Sequence, residues 1–444
     1  MPISPARVAA FEILLRVENT SSYASELLHA SQYAKLSSAD HGLATELVLG
    51  VLRWRSLLDA EIAKRSALKL KQLDPEVLTA LRLAAYQLVF LDRVPERAAV
   101  HESVELIKVA RKRSAASFAN AVLREFARSP VRPPAVPTSA EGDTASGLAA
   151  ALAHPEWLVT RWVERFGRAV AEQVCRHDQK IPETCISIRN RASEEQLKND
   201  GIDLASGRLL ASARRVVAGD LSRARLFREG QIAVQDEASQ LVALLVGKGS
   251  NILDCCAAPG GKARMLSERN PEASIVAVDL HPHRARLLRK LIAATNVHVI
   301  AADACNLPTT AVFDRVVADV PCSGTGTLAR NPEIKWRLSL TDLQDLQVRQ
   351  ISILRSAMQR VAPGGRLVYS TCSLEREENE EIVQAVVTDG GFRTVSCGQV
   401  LDELRAEGEL VWTDPASLVD GNYLRTIPGV HPCDGFFAAV IERV

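Results

Sequence analysis

Two cysteines stand where a sheet would present them to a ligand. Cys322 lies in Asp319-Val320-Pro321-Cys322-Ser323-Gly324 after the run 313–320, and Cys372 lies in Tyr369-Ser370-Thr371-Cys372-Ser373 after 365–371. A free cysteine is more often a small buried hydrophobe than a catalyst. Cys175, Cys185, Cys305, Cys397 and Cys433 read that way. Two thiols at strand ends, each beside turn-forming polar residues, suit another chemistry. C5 of a pyrimidine is a poor nucleophile. A thiolate adding at C6 makes C5 enamine-like, so that it can take a methyl group; the C5 proton and the thiolate must then leave. One thiol is sufficient for the addition, and a second is suited to assist the elimination. At its reference pKa of about 8.5 a cysteine is only a few per cent thiolate at neutral pH, so the site must favour ionisation or activate the ring. Asp319 is suited to hold the pyrimidine edge, or a proton on it. Spacing alone does not say which thiol attacks. The N-P-P-Y motif expected for methylation of an amino group is missing.

The methyl donor is expected at Asp254-Cys255-Cys256-Ala257-Ala258-Pro259-Gly260-Gly261-Lys262, which follows a buried strand and opens a helix. Glycines there let a ligand approach the backbone. A P-loop would need Gly at Cys256 and Ser or Thr at Ala263, and G-x-G-x-x-G is also absent, so a nucleoside triphosphate or a dinucleotide is not expected. Asp279 ends the second strand, 19 residues after Gly260, where a carboxylate can accept both ribose hydroxyls, and Asp303 ends the third. A nucleoside without a pyrophosphate fits this set, and S-adenosylmethionine is one.

The elements that position these groups follow from periodicity. From 231 onward strands and helices alternate. Strands are predicted at 251–256, 274–279, 298–302, 313–320 and 365–371, and helices at 282–294 and 340–361, the last stopped by Pro363-Gly364-Gly365. The pattern is α/β, a parallel sheet covered on both faces with ligands at the carboxyl ends of its strands. The apolar run 435–441 would add an edge strand. Residues 1–128 read as a bundle of five or more helices. Ser4-Pro5 starts the first, with Val8, Phe11 and Leu15 on one face; Leu43, Leu47, Val51, Leu58 and Ile62 form a longer stripe; Asp74-Pro75 opens another helix. The domains expected are an all-α bundle at 1–130, a Pro/Ser/Ala/Gly-rich linker at 131–150, a small α+β module at 151–230 with a helix at 156–166 and a strand at 185–189, and the catalytic sheet at 231–444.

The 444 residues are 47% hydrophobic and 24% charged, which excludes a disordered or collagen-like chain. No apolar run reaches the roughly 18 residues of a membrane span, and no signal pattern opens the chain. Nine cysteines without a C-x-x-C pair point to reduced thiols in a cytoplasm, with neither a disulfide framework nor a metal site. The net charge of +1 divides into +4 over 1–130, −2 over 131–160, +4 over 161–230 and −5 over 231–444. The clusters Lys108, Arg111, Lys112, Arg113 and Arg214, Arg215, Arg223, Arg225, Arg228 are either solvated helix faces or a phosphate-binding surface, and charge alone weighs these evenly.

On these residues the chain resembles the RNA cytosine-5 methyltransferases. The resemblance is carried by QDEASQLVA at 235–243, CAAPGGK at 256–262, DVPCSGTGTLARNPEIKW at 319–336, YSTCSLEREENE at 369–380 and DGFFAAV at 434–440. ELVLGVLRW at 46–54, HESVELIKVA at 101–110 and FANAVLRE at 118–125 are similar to the NusB-like RNA-binding helical domain. That combination resembles the B type of the bacterial 16S ribosomal RNA cytosine-5 methyltransferases. The resemblance implies a Rossmann-like class I methyltransferase sheet behind the NusB-like bundle. It implies Cys372 as the nucleophile on C6 and Cys322 as the residue that helps release the product. S-adenosylmethionine would be held by Cys256, Ala257, Ala258, Pro259, Gly260, Gly261, Lys262, Asp279, Asp303 and Asp319, with Asp319 also near the cytosine. DNA cytosine methyltransferases, on the same fold, use the P-C cysteine instead. Relatives often carry two adjacent basic residues where this chain has Ala329-Arg330, which removes one expected phosphate contact.

The expected function is methylation of C5 of a cytosine in 16S ribosomal RNA by a cytoplasmic monomer that needs no metal and no membrane. The target base is expected unpaired or flipped out. Aromatic residues make up 5% of the chain, so base stacking is not the main source of affinity. The alternatives are a transfer RNA cytosine-5 methyltransferase and a non-catalytic RNA-binding assembly factor; the intact Cys322 and Cys372 argue against the latter.

Overall fold

Ser4 opens the first helix as its pattern predicts: Ser4 Oγ accepts from Arg7 N at 3.4 Å, and Pro5 takes the first turn, where no N–H is needed. The structure is a computed structural model describing residues 3–129, 131, 136, 144–188, 190–292, 294–388 and 390–444. Packing divides it into two compact units, Met1–Ile181 with Leu328–Arg337, and Pro182–Thr327 with Leu338–Val444.

The first unit is helical. Pro5–Asn19, Ser38–Arg53, Arg55–Arg65, Pro75–Phe90, Glu96–Val109 and Ala116–Arg128 enclose a core that includes Ile13, Leu47, Leu58, Leu81, Ile107 and Phe126. In the first helix the buried stripe is Ala6, Ala10, Ile13, Leu14 and Val17 with Phe11, while Val8 and Leu15 are half-buried. The stripe expected from Leu43 to Ile62 is broken at Trp54 into two helices. Arg82 and Gln87 interrupt the apolar face of Pro75–Phe90 and are both buried, and both are paired. Arg82 donates to the two Asp59 oxygens at 2.7 and 2.8 Å, and Gln87 Oε1 accepts from Arg7 Nε at 2.7 Å.

Most of the linker at 131–150, the end of the 185–189 strand and part of the 282–294 helix lie outside the described residues. The last part of that linker is helical, however. Thr144 Oγ1 accepts from Gly147 N, and Ala145–Ala151 buries Leu148, Ala149 and Ala151. This helix, Glu156–Phe166 and Arg168–Asp178 pack in the helical unit, whereas the strands that follow belong to the other, so the division by packing runs through the 151–230 stretch.

The second half of the DVPCSGTGTLARNPEIKW stretch also belongs to the helical unit. Glu333 Oε1 accepts from Ala24 N at 2.7 Å, Trp336 Nε1 donates to Leu52 O at 2.6 Å, and Lys335 Nζ donates to Arg53 O at 2.9 Å and Ala153 O at 3.0 Å. Trp336 and Lys335 thereby satisfy the Leu52 and Arg53 carbonyls that the end of helix Ser38–Arg53 leaves without intrahelical partners. Ala329, at the place where basic residues were expected, is buried, and its carbonyl accepts from the Arg53 guanidinium at 2.9 Å.

In the second unit, β1 (Thr184–Ser187), β2 (Asp203–Ser206) and β3 (Ala213–Ala218) form a small antiparallel sheet in the order β1-β3-β2. The main sheet is built from β4 (Asn251–Asp254), β5 (Ser274–Asp279), β6 (Val297–Ala301), β7 (Phe313–Asp319), β8 (Val361–Thr371), β9 (Phe392–Val395), β10 (Val419–Asp420), β11 (Tyr423–Thr426) and β12 (Phe436–Arg443). Its order is β10-β11-β12-β8-β7-β4-β5-β6, with β9 against β12. The five strands from β8 to β6 pair in parallel and the rest antiparallel. β4 has β5 on one side and β7 on the other, so the carboxyl ends of β4 and β7 form the switch point where such sheets bind ligands.

Two expectations are corrected. The run 435–441 is not an edge strand: β12 pairs with β8 and with β11, and Phe436 to Ile441 are all buried, as an interior strand covered on both faces requires. The long helix ends at Met358, and β8 begins at Val361. Phe313 pairs with Val361 and Arg315 with Arg366, so Pro363-Gly364-Gly365 form a bulge within the strand, with Gly364 at φ +72°. Among the described residues no helix is long and apolar enough to cross a membrane.

Candidate active site

β4 ends at Asp254, and the chain turns through 255–260 into helix Gly261–Arg269. Ala257 N donates to Val278 O at 2.8 Å, which holds the turn against β5. Gly260 has φ +118°, and a Cβ there would lie 2.5 Å from Leu288 Cδ1, so glycine is required. Asp279, buried at the end of β5, accepts from His281 N through Oδ1 at 2.9 Å. Asp303 lies exposed beyond the end of β6 and accepts from Cys305 N at 2.9 Å. A glycine turn, a strand-end carboxylate and no hydroxyl after the lysine suit a nucleoside without a pyrophosphate. Asp254 is fully buried, and its carboxyl is pushed up to about 7, first by burial and then by the charge of Asp319.

Lys262, the last residue of the expected cofactor turn, directs its ammonium to side chains of the protein. Nζ donates to Asp319 Oδ2 at 2.7 Å and to Ser239 Oγ at 2.8 Å. Ser370, opposite Asp319 in the β7–β8 register, donates to Asp319 Oδ1 at 2.7 Å. Both oxygens of Asp319 are therefore held, and its orientation is set before any substrate arrives.

The two site cysteines come together. Cys322 Sγ and Cys372 Sγ are 3.0 Å apart, and Cys372 N lies 3.2 Å from Cys322 Sγ as a donor. Both residues are half-buried. The Cys322 thiol is pushed up, first by its hydrogen bond to Cys372 and then by burial. Backbone packing maintains the approach: Gly326 N donates to Cys372 O at 2.9 Å, and Gly435 N donates to Gly326 O at 2.8 Å. A Cβ on Gly326 would lie 2.1 Å from Gly435 O. All nine cysteines are free; Cys175, Cys185, Cys397 and Cys433 are buried as expected, whereas Cys305 is only half-buried.

Ser239, Asp254, Ser370 and Glu378 also belong to the site and had been assigned no role. Each sits in or beside a stretch already singled out, but their partners are remote in sequence and no local pattern names them. Five cations of the basic clusters form ion pairs. Arg214 pairs with Glu194, Arg215 with Glu183, Arg225 with Glu229, Lys108 with Glu105 and Lys112 with Asp74, at 2.9, 2.9, 2.7, 2.6 and 3.1 Å.

Residues 241–442 match the family described as 16S rRNA methyltransferase RsmB/F, and residues 4–128 match the NusB family. The "Probable ribosomal RNA small subunit methyltransferase B" of Bacillus subtilis (strain 168) is 34% identical over 405 residues, covering 88% of this chain and 89% of the relative. The "Ribosomal RNA small subunit methyltransferase B" of Vibrio cholerae serotype O1 is 30% identical and covers 99% of this chain and 98% of its own. The crystal structure of PH0851 shares the fold, with a TM-score of 0.80 over 100% of both chains at 24% identity. With relatives of this likeness spanning both units, the chain belongs to the RsmB/F family of 16S ribosomal RNA methyltransferases and carries a NusB-family domain ahead of its catalytic sheet.

Proposed function

We propose that this protein methylates C5 of a cytosine in 16S ribosomal RNA, in the cytoplasm, through a transient bond between Cys372 and C6, using S-adenosylmethionine. The observation that carries this reading is the pair of sulfurs 3.0 Å apart, with the Cys322 thiol pushed up by its hydrogen bond to Cys372 and by burial. At this separation a Cys322 S–H can donate to the Cys372 sulfur, an arrangement that suits Cys372 as the attacking atom. When bound, S-adenosylmethionine supplies an electrophilic methyl group, which C5 takes. The turn of Cys256, Ala257, Ala258, Pro259, Gly260, Gly261 and Lys262 would hold that cofactor with Asp279 and Asp303.

The remaining work falls to the chain's own side chains. Asp319, held by Lys262 and Ser370, accepts the polar edge of the pyrimidine. Cys372 sulfur bonds to C6 and gives C5 its nucleophilic character. After C5 has gained its substituent, a water molecule acting as base takes the C5 proton, the C–H electron pair re-forms the C5–C6 double bond, and the C6–S bond breaks with its electrons returning to the Cys372 sulfur. The Cys322 thiol then steadies the departing thiolate through the same hydrogen bond.

RNA carrying 5-fluorocytosine tests the assignment, because fluorine in place of the C5 proton blocks release. On a denaturing gel, in the presence of cofactor, the protein and its Cys322→Ala variant should carry a covalent RNA adduct, and Cys372→Ala should not. An adduct that persists in Cys372→Ala and vanishes in Cys322→Ala would reverse the roles. Bisulfite sequencing of RNA from a deletion strain separates a ribosomal from a transfer RNA target.

A further inference from the structure

Cys322 and Cys372 are 50 residues apart in sequence and stand on separate turns, one after β7 and one after β8. The pairing of β7 with β8 and the Gly326 N to Cys372 O bond bring the two turns together, and side chains add to that hold. One buried carboxylate joins the two turns. Glu378 is 0% exposed. Its Oε1 accepts from Ser323 N at 2.8 Å and from Gln350 Nε2 at 2.9 Å, and its Oε2 accepts from Ser323 Oγ at 2.5 Å. Ser323 follows Cys322 directly. Gln350 Nε2 also donates to Pro321 O at 2.9 Å, so both chain neighbours of Cys322 are held. On the other turn, Ser373 follows Cys372 directly, and its Oγ lies 3.0 Å from Ser323 Oγ. Glu378 is fixed in turn through its backbone carbonyl, which accepts from the Tyr369 hydroxyl at 2.6 Å on β8.

We propose that Glu378 is a positioning residue that sets the distance between the Cys322 and Cys372 sulfurs by clamping the turn after β7 to the turn after β8. The groups facing its carboxyl oxygens are donors, and those oxygens accept from all of them. An amide in its place would turn its NH2 toward Ser323 Oγ, reversing that hydrogen bond and the direction of the hydroxyl bridge to Ser373. The choice of a buried carboxylate is otherwise hard to account for, since burying one costs free energy unless its acceptor sites are filled. This inference rests on the reading of the two cysteines as a working pair, but the distance itself can be measured without any methylation.

Phenylarsine oxide is the probe: its arsenic binds two thiols at once and releases water, so tight capture requires both sulfurs within reach. The signal is the capture lost on Cys322→Ala. In Glu378→Gln that capture should weaken at least tenfold. In the same variant kcat for methylation should fall by about 10²-fold, as for a misplacement of about 1 Å, with KM for RNA and the affinity for S-adenosylhomocysteine unchanged. Glu378→Asp, which keeps the charge, should recover part of both. Arsenical capture and kcat both within twofold of the parent in Glu378→Gln would overturn the proposal. If Glu378→Gln does not fold, the double variant Ser323→Ala/Ser373→Ala, which keeps the carboxylate and removes the hydroxyl bridge, should show the same two losses to a smaller degree. Unchanged capture in the double variant would then overturn it. Weak capture with normal kcat would uphold the clamp and refute the working pair.

Discussion

Lys335 in the helical unit and Lys262 in the sheet unit are both buried, at 1% and 8% exposure, yet their ammonium groups end on different partners. Lys335 donates to the carbonyl oxygens of Arg53 and Ala153, with Asp178 and Cys175 in its field. Lys262 donates to the carboxylate of Asp319 and the hydroxyl of Ser239. Burial pushes Lys335 down to about 7, a displacement that on its own would nominate a functional site. Its partners argue the opposite. Backbone carbonyls neither titrate nor change partner when a substrate arrives, so Lys335 fastens a segment of chain. Lys262 steers a carboxylate beside two thiols at the ligand edge of the sheet. A displaced acidity therefore reports burial, and what the group touches decides whether it serves chemistry.

Substitution of each lysine can break this contrast. Lys262→Met frees Asp319 and should lower kcat/KM for methylation of a 16S ribosomal RNA fragment by about 10²-fold, while the thermal unfolding midpoint moves by less than about 2 °C. A near-normal rate would make Lys262 a second fastener. Lys335→Met should do the reverse. It leaves two carbonyls without their donor and should cost about 2 kcal/mol, which lowers the midpoint by about 5 °C, with the rate per folded molecule little changed. A large loss of rate without a loss of stability would erase the distinction.

The smallest effect sharpens it through pH. The Asp254 carboxyl is raised from 3.8 to about 7. Its contribution to stability is therefore full below about pH 4 and is lost as pH rises through 7. Lys335 is depressed from 10.5 to about 7, so its contribution is full above pH 10.5 and is lost as pH falls through 7. Asp254→Asn should accordingly unfold at a higher temperature than the parent at pH 8 and lose that advantage at pH 5. A difference independent of pH would mean that Asp254 stays ionised in the folded protein.

Much of this molecule was legible in the chain. The cap at Ser4, the helix at Glu156–Phe166, the strand ending at Asp279 and the turn with Gly260 depend on residues within a few positions of one another, and their patterns are local. The same holds for the placing of Cys322 and Cys372 just beyond strand ends. β12 read as an edge because a run of apolar residues tells that a strand is buried without telling which strands flank it. The stretch from Asp319 to Trp336 read as one piece of the catalytic sheet, although Leu328–Arg337 packs in the helical unit. Its decisive bonds run to Ala24, Leu52, Arg53 and Ala153, more than 180 positions away.

The amino-acid sequence by itself determined that two cysteines and several aspartates stand at one end of the strands, because side-chain type and hydrophobic period are properties of short segments. Only the tertiary structure decided that two sulfurs meet at 3.0 Å, that Lys262 holds Asp319, and that a carboxylate six residues after Cys372 braces the turn carrying Cys322. Those are distances between groups on different strands and turns, and they exist only once the sheet has brought β4, β7 and β8 side by side.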